Sequence, residues 1–175
     1  MPFSAFVVMV PAAQARVGPL RSRFDATTAL GMPAHVTLLV PFMDPAALTP
    51  EVLAQAQAAL DAVPAFDFAL RRVGRFPETA YLAPEPAQPF IDMTLALARA
   101  FPAFPPFGGV HPDVIPHLTA AHGNAADAAL AEAELNEGLQ RMGPIEARCD
   151  RVALVGNATG RWQTLYSFAL PWCPA

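Results

Sequence analysis

Two stretches of this chain carry the same uncommon pattern. Pro33-Ala34-His35-Val36-Thr37-Leu38-Leu39-Val40-Pro41-Phe42 sets a histidine and a threonine two residues apart at the head of an apolar, β-prone run. Pro116-His117-Leu118-Thr119-Ala120-Ala121-His122 does so again, 82 positions later. On a strand, residues i and i+2 project from one face. His35 and Thr37 therefore share a face while Val36 and Leu38 turn to the core, and His117 and Thr119 share one against Leu118. With nine threonines and four histidines in 175 residues, two such pairs arise by chance at roughly a 1–2% rate. Two equivalent strands must each bury one face and turn the other toward a common space.

The rest of the chain supplies two similar settings for them. Residues 3–10 alternate weakly and are β-rich, so they read as a strand. Residues 12–30 have helical composition, with Gly18-Pro19 expected to break or restart the helix. His35 to Val40 is a strand that Pro41 ends or places at a sheet edge. The next helix starts at Asp44-Pro45 or at Thr49-Pro50, with Thr49 as cap, and runs to Ala62. Residues 66–76 and 79–83 form a hairpin, and 90–101 has helical spacing. Residues 102–113 hold four prolines and two glycines and read as an irregular connection that covers a cleft. A strand at 117–121, a helix at 124–142 capped by Asn124, one strand at 145–155 and a closing strand at 162–170 complete the chain. Strand, helix, His-x-Thr strand, helix and hairpin are thus followed by helix, His-x-Thr strand, helix and hairpin. The expectation is an α+β fold, a single bilobal domain over residues 1–175. It has two pseudo-symmetric lobes of antiparallel sheet, outer helices and a central groove carrying both motif strands.

Composition narrows the partners. Apolar residues make up 54% and charged residues 15%, enough for a packed core despite the prolines. No apolar run reaches the ~20 residues of a membrane helix. The apolar start lacks the basic segment of a signal peptide, so it reads as a first strand. Cys149 and Cys173 match no metal or redox spacing and fit thiols of a reducing cytosol, the expected location. Net charge is −4, and all eleven basic residues are arginine. Long duplex nucleic acid does not fit as a constitutive partner, and a lysine nucleophile is excluded. A small anionic ligand held by one or two arginines does fit, bound to a monomer.

The paired motifs suit phosphodiester chemistry. An imidazole titrates near pH 6.5, so one ring can accept a proton while another donates one. Threonine hydroxyls can donate to non-bridging oxygens as charge builds on them. Around this set, Phe42, Arg75, Phe76, Tyr81 and Trp162 are candidate substrate contacts, through stacking or phosphate pairing. Strict alternation places His122 on the face opposite His117, and His111 reads as an exposed loop residue. His35, His111, His117 and His122 lack the close spacing with a carboxylate that a zinc site uses, so no metal is assigned.

Paired His-x-Thr motifs about 80 residues apart, each opening a strand in a two-lobed α+β chain, resemble the two-histidine phosphoesterase superfamily and within it the 2′-5′ RNA ligase-like branch. The resemblance spans the chain. It is carried by Pro33 to Leu38, by Pro116 to Thr119 and, less specifically, by Trp162 with Phe168-Ala169-Leu170. It implies a phosphodiesterase for 2′,3′-cyclic phosphate or 2′-5′ linkages in RNA ends or small nucleotides, with no cofactor, metal or ATP. His35 and His117 would be the acid–base pair, with Thr37 and Thr119 holding the phosphate. Between them it favours His117 as base and His35 as acid. The alternative is a protein of the same fold that binds nucleotides or RNA ends without turnover.

Overall fold

The computed structural model describes residues 1–172; the expectation for Cys173 falls outside that range. Among the described residues, eight strands and four α-helices follow in the order β1 (Ser4–Met9), α1 (Pro11–Phe24), β2 (His35–Phe42), α2 (Pro50–Leu60), β3 (Phe66–Phe76), β4 (Thr79–Glu85), α3 (Gln88–Ala100), β5 (Leu118–His122), α4 (Ala125–Met142), β6 (Ile145–Cys149), β7 (Arg151–Gly156) and β8 (Gln163–Ala169). They build two four-stranded sheets, β2-β1-β7-β8 and β5-β4-β3-β6. Every pairing is antiparallel. The two-lobed α+β architecture expected from the sequence is the one observed.

Each motif strand is the edge of its sheet and pairs with the strand before it in the chain, β1 with β2 and β4 with β5. The two edges meet, because β2 and β5 lie against one another. An edge position suits β2, because Pro41 has no N–H for a second neighbour. The helices exchange partners across the molecule. α1 links β1 to β2 yet packs on β5, and α3 links β4 to β5 yet packs on β2. One apolar cluster accordingly runs behind both motifs and includes Val36, Leu38, Leu118 and Ala120. A fully buried side chain such as Leu38 contributes about 1.5–3 kcal/mol. No helix among the described residues is long and apolar enough to cross a membrane.

Three expectations need correction. The first concerns which strands share a lobe. The β3–β4 hairpin comes after the first motif in the chain but belongs to the sheet of the second. The closing hairpin β7–β8 belongs to the sheet of the first. The second concerns residues 145–155, which are two strands and not one. β6 alternates in burial and joins the second sheet, whereas β7 is buried at five consecutive positions, 152–156, and crosses into the first. Val152 and Leu154 join the main core, while Ala153 and Val155 join a second cluster on the other face. The change from alternating to continuous apolarity marks the crossing at Asp150. The third concerns α1, which runs through Gly18-Pro19. Burial of Ala13, Val17 and Leu20 outweighs the roughly 3 kcal/mol cost of an internal proline. Gly18 also leaves room for Gln14, whose amide a Cβ at residue 18 would approach to 2.7 Å. That amide is needed, because Gln14 Oε1 accepts the Ala34 N–H at 2.8 Å, one residue before His35.

Both alternatives for the second helix start are used. Asp44 caps a short 3-10 turn over Pro45–Ala47, and Thr49 caps α2.

Candidate active site

The two histidines are held in the same way. His35 Nδ1 lies 2.7 Å from the Pro33 carbonyl, and His117 Nδ1 lies 2.7 Å from the Ile115 carbonyl. A carbonyl only accepts, so each ring carries its proton on Nδ1 and keeps the Nε2 lone pair free. The proline-containing segment before each motif thus sets the tautomer of its histidine. Ala34 is itself pinned on both sides, its carbonyl accepting Val10 N–H at 2.9 Å and its N–H bonded to Gln14.

A β-bulge comes after each threonine. Val7 pairs with Thr37 and Phe6 with Leu39, leaving Leu38 as the extra residue; Tyr81 pairs with Thr119 and Ala80 with Ala121, leaving Ala120. Leu38, Leu39, Ala120 and Ala121 are all fully buried, so two successive residues face the core. Such bulges re-aim the side chains of the next residues along the strand. The bulge overturns the alternation expected for His122. It pairs with Thr79, accepts or donates at 2.8 Å through Nδ1 to Thr79 Oγ1, and lies on the face of Thr119. Val40 takes the equivalent position after the first motif, on the groove face of its sheet with Met9 and Trp162.

Aromatic rings surround His117. Tyr81 stands 5.3 Å and Phe76 5.2 Å from it, with 4.6 Å between their own centroids. Phe107, from the 102–113 segment, stacks on it at 6.1 Å and 25°. Residue pattern singles out that segment but not this ring. Phe107 has φ +52°, and Gly108 and Gly109 continue the left-handed turn. A bulky residue is rare there, and the flanking glycines are the signal that marks it. His111 is exposed, 6.1 Å from Phe107.

Tyr81 lies across its strand partner Gly74, and a Cβ on Gly74 would overlap its ring. Gly74→Ala should therefore cost about 1–3 kcal/mol. Combined with Tyr81→Ala, it should cost much less than the sum of the two. Thermal melts of the two single variants and the double variant check this, and strict additivity would refute the contact.

Two proposed contacts lie elsewhere. Phe42 is 2% exposed and packs in the core against Phe6, Phe101 and Phe104 at 4.9–5.0 Å. Arg75 pairs with core-facing Ala80, so it projects to the helix side, where it meets Glu132 of α4 at 2.9 Å. Trp162 remains on the groove face of the first sheet, edge-on to Phe3 at 5.4 Å. It lines a recess of about 110 Å³ with Met9, Met32 and Pro33. A larger cavity, about 160 Å³, lies between α1 and α4 and is lined by no residue of either motif.

Burial controls the electrostatics. It pushes His35 down to about 4, the Pro33 hydrogen bond opposes this, and the Arg21 cation adds to the lowering. Arg21 is itself fully buried, paired with Asp25 at 3.0 Å. The charge of His117 also reaches His35. Burial lowers His117 as well, with the Ile115 hydrogen bond again opposing. Among the described residues, no cluster of three or more His, Cys, Asp or Glu side chains could hold a metal ion.

Fold and site define a two-lobed α+β protein whose paired His-x-Thr strands form abutting sheet edges. The chain belongs to the 2'-5' RNA ligase superfamily, whose sequence pattern matches residues 9–161. It resembles a crystal structure described as a phosphoesterase, at 19% identity and TM-score 0.59, over 98% of this chain and 99% of that one. E. coli LigT complexed with 3'-AMP matches at 18% identity and TM-score 0.57, over 97% and 99%. TT0787 of Thermus thermophilus matches at 18% and 0.59, over 97% and 98%. At these identities the likeness is one of fold. No curated protein sequence matches. Family and fold support a phosphoesterase-type function.

Proposed function

We propose that the protein is a phosphodiesterase, independent of metal, that acts on 2′,3′-cyclic phosphate or 2′-5′ linkages of RNA ends or small nucleotides. The observation that carries this reading is the matched pair of imidazoles. Each has Nδ1 fixed by a backbone carbonyl and Nε2 free, on abutting strands with a threonine hydroxyl beside it. In hydrolysis, one Nε2 takes a proton from water as its oxygen attacks phosphorus. The other gives a proton to the ribose oxygen as the P–O bond breaks, leaving a phosphate monoester. Thr37 and Thr119 donate to the non-bridging oxygens.

Because burial and the Arg21 cation hold His35 at about 4, we place a single proton shared by the pair on His117. That makes His117 the acid and His35 the base, the reverse of what the resemblance implies. Phe76, Tyr81 and Phe107 offer stacking surfaces for a base, and Trp162 offers one across the groove. A relative solved with 3'-AMP supports a nucleotide ligand. The reading includes action as a cytoplasmic monomer.

The wild-type protein should convert a 2′,3′-cyclic nucleotide or a 2′-5′ dinucleotide at the same rate with and without EDTA. Chromatographic assay of both substrate classes checks this. Absence of turnover on either class would leave only the binding-protein alternative, and inhibition by EDTA that zinc reverses would restore a metal mechanism.

A further inference from the structure

Resting on that reading, we propose a second anion-binding subsite at Arg72. It takes a phosphate adjacent to the scissile one, so the site selects RNA ends or nucleotides that carry an additional phosphate over simple nucleoside cyclic phosphates.

The register places it. Leu82 pairs with Leu118 and Ala83 with Arg72, so His117, one residue before Leu118, stands beside Ala83. His117, Ala83 and Arg72 form a row across β5, β4 and β3. It runs next to the row of Thr119, Tyr81 and Gly74 on the same face. Two strand spacings, about 10 Å, separate the ends of the row. Only a methyl group stands between them, so an arginine side chain can reach back toward His117.

Arg72 is on this face because of a third bulge. Leu70 is in the core, and plain alternation would send Arg72 after it. The register shift between Leu70 and Arg72 makes Arg71 the extra residue, and Arg72 emerges on the groove side. The same device that re-aims the chain after each threonine therefore puts a cation on the catalytic face.

Its charge is uncommitted. Nine of the eleven arginines engage a carboxylate or a backbone carbonyl, Arg16 and Arg161 through carbonyls and the others through acids. Arg72 and Arg99 make no such bond among the described residues. Arg99 sits on the solvent side of α3, whereas Arg72 is exposed in the groove. Glu85, two residues beyond Ala83, makes no ion pair with it. A guanidinium with all five donors free is matched to a phosphate, which it can grip through two parallel bonds.

Calorimetry with two unreactive ligands, adenosine 3′-monophosphate and adenosine 3′,5′-bisphosphate, tests the subsite. The wild-type protein should prefer the bisphosphate by about tenfold. Arg72→Ala should bring that ratio near one, and Arg72→Lys should restore part of it, keeping the charge without the fork. Arg99→Ala should leave it unchanged. Equal wild-type affinity for the two ligands, binding of neither, or a preference that survives Arg72→Ala would overturn the subsite. A preference that depends on Arg72 in a protein that turns over neither cyclic nor 2′-5′ substrate would keep the subsite and remove the enzymatic reading.

Discussion

Replacing either motif histidine by alanine should lower kcat on a 2′,3′-cyclic nucleotide by about 10²–10⁴-fold, the range of a positioned acid or base. Both rings are tied to backbone carbonyls, so circular dichroism and a thermal melt should accompany each variant. The substrate's leaving group then separates the two roles. A 4-nitrophenyl phosphodiester expels a stable phenolate and needs little help from an acid. His117→Ala should recover most of its lost rate on that substrate, while His35→Ala should stay slow for want of a base. The opposite pattern would exchange the assignments. Equal losses on both substrates would overturn acid–base catalysis by this pair. Thr37→Val and Thr119→Val keep the strand's shape but remove a donor to the developing charge. Each should cost about a hundredfold in kcat, as loss of an oxyanion donor does.

The rate should also peak on the acid side of neutrality. kcat/KM reports the free enzyme, in which burial holds His35 at about 4 and His117 below its ordinary value. The one-proton state of the pair forms as pH rises past about 4 and is lost as His117 gives up its proton below the ordinary imidazole range, as a property of the coupled pair. A kcat/KM profile should therefore have its maximum below pH 6.5, with its acid limb well below the imidazole range expected from the sequence. In the complex, the phosphate anion favours imidazolium, so the limbs of kcat should shift upward. A kcat/KM flat between pH 5 and 8 would contradict this. Stability has the same sign. Above pH 6.5 both states of the chain hold neutral histidines and no stability is lost. As pH falls toward about 4, the unfolded chain binds protons that folded His35 refuses, so stability declines across that window. Melting temperature measured between pH 7 and 4 should fall, and a bound phosphate ligand should lessen the fall.

Much of this was legible in the chain. The His-x-Thr pairs and their strand period follow from residue spacing, and Pro41 points to an edge for the first motif strand; the edge position of the second comes from the sheet order. Thr49 and Asn124 announce their helices because a short polar side chain satisfies free N–H groups at a helix start. The bulges were harder to see. Two adjacent buried residues, Leu38-Leu39 and Ala120-Ala121, look like ordinary strand until a partner strand shows that one of them has no mate. His122 was misassigned by alternation for that reason, and strict alternation from Leu70 puts Arg72 on the wrong face in the same way. Phe42 and Arg75 were drawn toward the groove because nearness in sequence to a motif says nothing about which face a residue takes.

Residue order alone specifies the paired acid–base candidates, the antiparallel α+β class and the absence of any lysine chemistry. These depend on residue identity and on the two-residue repeat of a strand, both local. Folding in three dimensions settles which hairpin joins which motif and where the chain crosses between sheets. It also settles which arginine faces the groove and how far burial lowers each histidine. Those outcomes depend on register against a distant strand and on the removal of water by residues far away in the chain, and neither is written in any single stretch of it.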